Sequence, residues 1–256
     1  MPNPRNRARP RVVAGQLALL LAALLPACAP QAVATPAPTP PAAAEARPLP
    51  NEIHWFRNSA EYRALAQQVY RAATAYVERE AAALPRGGWA VILDADETAI
   101  DNSEYQRRLA ARGARFEDST WYAWAREQAA PAVPGAAAFT QRVHQLGGRV
   151  AYVTNRDDAI CAPTEANLRS AGLAVDLVLC RTPGQSDKNP RYRAIEEGTT
   201  PAGLPPLRVV AWIGDNIRDF PNLDQDAAAS ALALFGQRYF MLPNPMYGSW
   251  ESLPRR

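Results

Sequence analysis

Trp89-Ala90-Val91-Ile92-Leu93-Asp94-Ala95-Asp96-Glu97-Thr98 is the stretch on which the fold turns. Five apolar residues in a row follow the Gly87-Gly88 break and end at a carboxylate. That length and composition suit a central strand of a parallel sheet, buried on both faces. The same unit recurs on either side of it. Upstream, Asn58-Ser59 caps a helix over residues 60–83, with Leu65, Val69, Ala73, Tyr76 and Val77 at helical spacing. Downstream, a helix over about 135–146 stops at Gly147-Gly148 and leads into a strand at 150–153. A helix near 163–171, a strand at 176–180, a helix near 189–197 and a strand at 209–213 continue the alternation. It predicts an α/β fold, a Rossmann-like doubly wound parallel sheet with right-handed crossovers. A polar and aromatic insertion at 101–134 interrupts the pattern, with helices expected around 105–112 and 119–128.

Open parallel sheets bind ligands beyond the carboxyl ends of their strands. This chain places its reactive residue types there. The first strand ends in Asp94 and Asp96, the second in Thr154-Asn155-Arg156, the last in Gly214-Asp215-Asn216-Ile217-Arg218-Asp219. Lys188 lies in the approach to that last strand. Carboxylates gathered at one edge repel unless a divalent cation neutralises them, and an all-oxygen set favours Mg²⁺. A lysine, a threonine hydroxyl and helix N-terminal amides beside it make an anion pocket. Nucleophilic carboxylate, metal and anion cradle together describe phosphoryl transfer through an aspartyl phosphate. Glu97 and Asp101 stand beside these groups, and a solvated or capping role is expected of both.

Composition narrows the alternatives. The chain has 256 residues, enough for one α/β domain with a substantial core. Its formal charge of +3 includes Arg5, Arg7, Arg9 and Arg11, and without those four the balance is −1. A nucleic acid polymer held by net charge is therefore excluded as a partner. Two histidines, His54 and His144, are too few for multi-histidine metal sites or most histidine phosphatase schemes. Among 28 basic residues only Lys188 is a lysine, which marks a position wanting a compact ammonium and not a planar guanidinium. No cysteine is followed six residues later by arginine, which removes the cysteine-nucleophile phosphatases.

Residues 1–27 read as an export signal, an arginine-rich start followed by a sixteen-residue apolar run at 12–27, short for a membrane span. Leu25-Pro26-Ala27-Cys28 resembles the lipobox of bacterial lipoproteins, with Cys28 as the lipidated residue. Cleavage after Ala34 is the alternative and would give a soluble periplasmic protein. Residues 28–52 form a Pro/Ala-rich tether, and 53–256 the folded domain. A lipid anchor would hold the domain at the bacterial cell envelope. Cys161 and Cys180 come to the same sheet edge in an oxidising compartment. A disulfide is expected, with two buried thiols as the alternative.

The order Asp-x-Asp-x-Thr, Thr-Asn-Arg, Lys, Gly-Asp-Asn-x-x-Asp resembles the haloacid dehalogenase superfamily. More closely it is similar to the class C acid phosphatases, outer-membrane lipoproteins with 5′-nucleotidase activity. The closer likeness rests on residues 58–62 (NSAEY), 94–103 (DADETAIDNS), 152–156 (YVTNR) and 241–250 (MLPNPMYGSW), and it spans 53–250. The resemblance implies Asp94 as nucleophile and Asp96 as the acid for the leaving group and then the base for water. It implies Mg²⁺ on Asp94, the Asp96 carbonyl and Asp215, with Asp219 orienting the metal's waters. Thr154 and Asn155 would bind the phosphoryl group and Lys188 would offset its charge. The insertion at 101–134 falls where the superfamily carries a small helical cap. Trp121 there and Tyr247 would sandwich a nucleobase, while Tyr122 and Trp124 would pack cap against core. A dehalogenase does not need Asp96, and a transport ATPase would need membrane spans. The expected activity is hydrolysis of phosphate monoesters, including nucleoside 5′-monophosphates. A phosphotransferase, or an inactive envelope lipoprotein serving as a binding module, are the alternatives. The oligomeric state is left open.

Overall fold

Strand β1 (Trp89–Leu93) is buried along its whole length. It lies at the centre of a five-stranded parallel sheet of order β3-β2-β1-β4-β5, with β2 (Arg149–Asp157) on one side and β4 (Arg208–Gly214) on the other. β3 (Leu177–Arg181) and β5 (Tyr239–Met241) form the two edges. The computed structural model describes residues 48–227 and 229–255, so the export signal, Cys28 and residues 28–47 of the tether lie outside the described residues.

Burial explains the order. Each of Val91, Ile92 and Leu93 is removed from water, which stabilises by roughly 1.5–3 kcal/mol per side chain. Val91 and Leu93 join the layer formed with α2 (Ala60–Ala81) and α5 (Ala136–Leu146), and Ile92 joins the opposite layer with α7 (Asn189–Glu197). The buried residues of α2 are Tyr62, Ala66, Tyr70, Ala73, Val77 and Ala81, spaced by three or four and forming one stripe. Ser59 caps this helix by accepting the Tyr62 N–H at 3.0 Å. Gly148 admits the Trp89 ring, since a Cβ there would stand 2.4 Å from it.

A helix at the start of the domain and a strand at the edge of the sheet are among the elements that the sequence reading did not include. Helix α1 (Asn51–Asn58) takes in Asn51 and Glu52, which had been given to the tether. Its buried residues, Ile53 and Phe56, are three apart, and the Phe56 ring lies 3.9 Å from that of Tyr62. Strand β5 was not expected. It has three residues, too few for a period, and its neighbour β4 supplies the pairing.

The insertion forms α3 (Ser103–Arg112) and α4 (Asp118–Glu127) above the carboxyl end of the sheet. Asp101 starts α3 by accepting the Ser103 N–H at 2.7 Å. Glu97, for which a solvated or a capping role was expected, is fully buried and bonds the residue that caps α3. Its left-handed φ of 51° turns the chain so that Oε1 accepts the Asn102 N–H at 2.7 Å. Helix α6 (Cys161–Ser170) follows β2, and Cys161 is disulfide-bonded to Cys180 of β3.

Candidate active site

The carboxyl ends of β1, β2 and β4 open into a cavity of about 810 Å³. Asp94, Asp96, Asn155, Lys188, Asp215, Asp219, Trp121 and Tyr247 all line it. Stretches 153 residues apart in sequence, from Asp94 to Tyr247, therefore meet at one place because β1 and β4 are neighbours and the cap folds over them. Thr154, expected to bind the phosphoryl group, is fully buried and does not line the cavity; its hydroxyl accepts the Arg156 N–H at 3.1 Å. Neither histidine lines the cavity; both are exposed.

At the floor, the Asp94, Asp215 and Asp219 carboxylates each offer an oxygen within 4.8 Å of the others. The Lys188 ammonium, 4 % exposed, bonds Asp94 Oδ1 and sits 2.7 Å from Asp219 Oδ1. The backbone N–H of Asp96 donates to Asp94 Oδ2 at 3.0 Å. Asp215 accepts from the Thr98 hydroxyl at 3.0 Å and from Asn244 Nδ2 at 2.8 Å. Asp219 reaches Lys188 because Gly214 lacks a side chain: a Cβ there would lie 2.3 Å from Asp219 Cβ. Its other oxygen accepts the Asn216 N–H at 2.9 Å.

Electrostatically the cluster is short of positive charge. Three carboxylates face one ammonium, leaving a deficit of two positive charges. Burial pushes the Asp94 carboxyl up to about 7; Lys188 pulls against this while Asp219 and Asp96 add to it. Burial, then the charges of Asp219 and Asp94, drive the Asp215 carboxyl well above its ordinary range. Burial alone would lower Lys188, but Asp219 and Asp94 outweigh it and hold it as an ammonium. The strain is relieved by a dication, whose charge matches the deficit and whose preferred ligands are oxygens. Each carboxylate oxygen keeps a lone pair beyond the hydrogen bond it accepts. The residues present thus fit a divalent metal.

Asp96 stands apart from that group. Its Oδ1 accepts from Asn102 Nδ2 and from Arg156 Nη2, both at 2.8 Å, and from Arg156 Nε at 2.9 Å. The Arg156 guanidinium lies 4.9 Å from the centroid of the Trp121 ring. Trp121 and Tyr247 share the cavity, half-buried. Trp124 is buried, its ring stacked 6.5 Å from that of Tyr105 in the cap.

Four residues that hold these groups had been read only as members of motifs: Thr98, Asn102, Arg156 and Asn244. Their types are common at helix caps and surfaces, so nothing local distinguishes them. The one available signal was position, since Thr98, Asn102 and Arg156 fall within stretches that also carry an acidic or phosphate-binding residue, and Asn244 within the stretch of Tyr247.

Comparison with known proteins agrees with this geometry. The family described as HAD superfamily, subfamily IIIB (acid phosphatase), matches residues 22–250. The class C acid phosphatase from Bacillus anthracis with tungstate bound is similar at 25 % identity and a TM-score of 0.69, covering 78 % of this chain and 85 % of that one. Another structure of the Bacillus anthracis class C acid phosphatase matches at 25 % identity and a TM-score of 0.67, with the same 78 % and 85 % coverage. The chain belongs to the acid phosphatases of HAD subfamily IIIB and is a phosphomonoester hydrolase.

Proposed function

We propose that the chain hydrolyses phosphate monoesters, nucleoside 5′-monophosphates among them, through a phosphoenzyme on Asp94, with Mg²⁺ bound beside it. The observation that carries this reading is the lone buried Lys188 bridging Asp94 and Asp219 at the floor of a cavity that also holds Asp215. Asp94, Asp215 and the Asp96 carbonyl would hold the cation, which would screen the repulsion between the nucleophile and the incoming dianion.

The chain's own groups then divide the work. Asp94 attacks phosphorus with the oxygen opposite the leaving group, forming the new P–O bond as the ester P–O bond breaks. Lys188 and Asn155 accept the charge of the transferred phosphoryl group. Asp96 gives its proton to the departing oxygen, and afterwards takes one from the water that hydrolyses the acyl phosphate. Asp219 holds Lys188 in line. The tungstate of the Bacillus anthracis structure supports the reading, because it is a tetrahedral oxyanion shaped like phosphate.

Trp121 and Tyr247, lining one cavity, suit a planar base between them, and stacking of this kind contributes ~1–3 kcal/mol. Trp121→Ala should raise KM for nucleoside monophosphates and spare small aryl phosphates; equal damage to both removes the nucleotide reading. Asp94→Asn should abolish turnover of p-nitrophenyl phosphate and the acid-stable phosphoenzyme in quenched single turnovers. Turnover persisting in that variant removes Asp94 as nucleophile. For the N-terminal segment we propose lipidation at Cys28 and anchoring at the outer membrane, as residues 25–28 suggest. Cys28→Ser should move the activity from the membrane pellet to the soluble fraction.

A further inference from the structure

Arg156 is 2 % exposed, an unusual place for a guanidinium. A buried ion pair is often no more stable than a well-packed apolar pair, so stability alone is weak grounds for one here. Every nitrogen of Arg156 is committed. Nε and Nη2 form a fork on Asp96 Oδ1 at 2.9 and 2.8 Å, Nη2 also reaches Asn102 Oδ1 at 2.9 Å, and Nη1 reaches the Thr164 hydroxyl at 3.2 Å. Asn102 is equally fixed. Its Oδ1 accepts both Arg156 and the Trp124 indole N–H at 2.9 Å, so the amide is oriented with Nδ2 toward Asp96. The result is an asymmetric carboxylate. Three donors crowd Oδ1, while Oδ2 has one longer contact, Arg156 Nε at 3.3 Å, and Asp96 lines the cavity.

We infer that Arg156 and Asn102 are positioning residues that lock the Asp96 carboxyl with Oδ1 held by protein and Oδ2 left to exchange a proton with the leaving-group oxygen. The inference rests on the reading of Asp96 as that acid. It adds that the cap takes part in the chemistry: Asn102 opens α3, Trp124 belongs to α4, and Trp121 stacks on Arg156 while lining the cavity. A planar two-nitrogen fork is what lysine lacks, which explains an arginine here in the same site where Lys188 is a lysine.

The test uses leaving groups of different basicity. A nitrophenolate departs without a proton; an alkoxide needs one as the P–O bond breaks. The quantity to measure is kcat/KM, which covers steps through that departure, for p-nitrophenyl phosphate and for a simple alkyl phosphate, with purified full-length protein. Asp96→Asn sets the benchmark: about 10²–10⁴-fold loss on the alkyl ester and a far smaller loss on the aryl ester. Arg156→Gln, Arg156→Lys and Asn102→Ala should each show the same split, with at least about tenfold greater loss on the alkyl ester. If Arg156→Gln does not fold, Arg156→Lys and Asn102→Ala decide. Equal losses on both substrates in these variants, with the Asp96→Asn split intact, overturn the inference and leave Asp96 as the acid. Equal losses in Asp96→Asn itself overturn both.

Discussion

At the scale of the residue, the site turns on one lysine. Lys188 is the single ammonium among buried carboxylates, and each of its two partners is held from the other side, Asp94 by the Asp96 N–H and Asp219 by the Asn216 N–H. Removing it leaves three carboxylates with no internal cation. Lys188→Met preserves the length of the side chain and deletes the charge, so kcat on p-nitrophenyl phosphate should fall by about 10²–10³ or more, the cost of one lost stabilising donor. Lys188→Arg should not restore it, because a planar guanidinium must fit a pocket closed around a compact group. Steady-state kinetics of the two variants check this, and substantial recovery in the arginine variant would show that charge alone suffices. This residue was legible from composition, since a solitary lysine among 28 basic residues asks for a reason. Arg156 was not legible in the same way. Its neighbours in sequence, Thr154 and Asn155, pointed to phosphate, whereas its partners Asp96 and Asn102 are 60 and 54 positions away.

At the scale of elements, two links tie the cap and the sheet edge to the rest. Glu104 on α3 pairs with Arg107 and Arg108 of its own helix and with Arg57 of α1 at 3.1 Å. The bond from Arg107, opposed by some burial and helped by Arg108 and Arg57, holds the Glu104 carboxyl at about 2. A carboxyl lowered by folding adds stability above its unfolded value near 4.5, and that stability is lost as pH falls toward 2. Glu104→Gln should therefore melt lower than the parent at pH 6, by roughly 2–4 °C for an effect of ~1 kcal/mol. The gap should close as pH falls below 4.5, as thermal scans across that range will show. The other link is the Cys161–Cys180 disulfide, which closes a separation of 19 residues between α6 and β3. A loop of that size limits the unfolded chain by about 3 kcal/mol, so replacing both cysteines with serine should lower Tm by roughly 6–12 °C. A Tm unchanged within a degree would mean that the bond constrains nothing. The regular elements around these links were legible wherever they carried a period. α1 and β5 were not: eight residues with two buried apolar side chains, and three residues at a sheet edge, leave too little pattern to separate from a loop.

At the scale of the whole molecule, the fold concentrates buried negative charge at one end of its sheet, and stability must answer to that. Burial raises Asp94 to about 7, and it raises Asp215 and Glu97 above the ordinary carboxylate range as well. An acid raised by folding binds its proton more tightly in the native state than in the unfolded chain. Without metal, the native state therefore gains stability as pH falls from 7 toward 4, and loses it as pH rises through that window. A divalent cation at this cluster would reverse the penalty by taking the place of the protons on Asp94 and Asp215, and a ligand that binds only the native state raises Tm by mass action. The two effects make one prediction. Protein stripped with EDTA should melt higher at pH 5 than at pH 7.5, and added Mg²⁺ should raise Tm more at pH 7.5 than at pH 5, where protons compete for the same oxygens. Phosphatase activity should vanish with EDTA and return with Mg²⁺. Differential scanning calorimetry at the two pH values, with and without Mg²⁺, measures it. A Mg²⁺ increment equal at both would mean that the cation binds somewhere other than this buried cluster, because only groups that exchange protons for metal can couple the two.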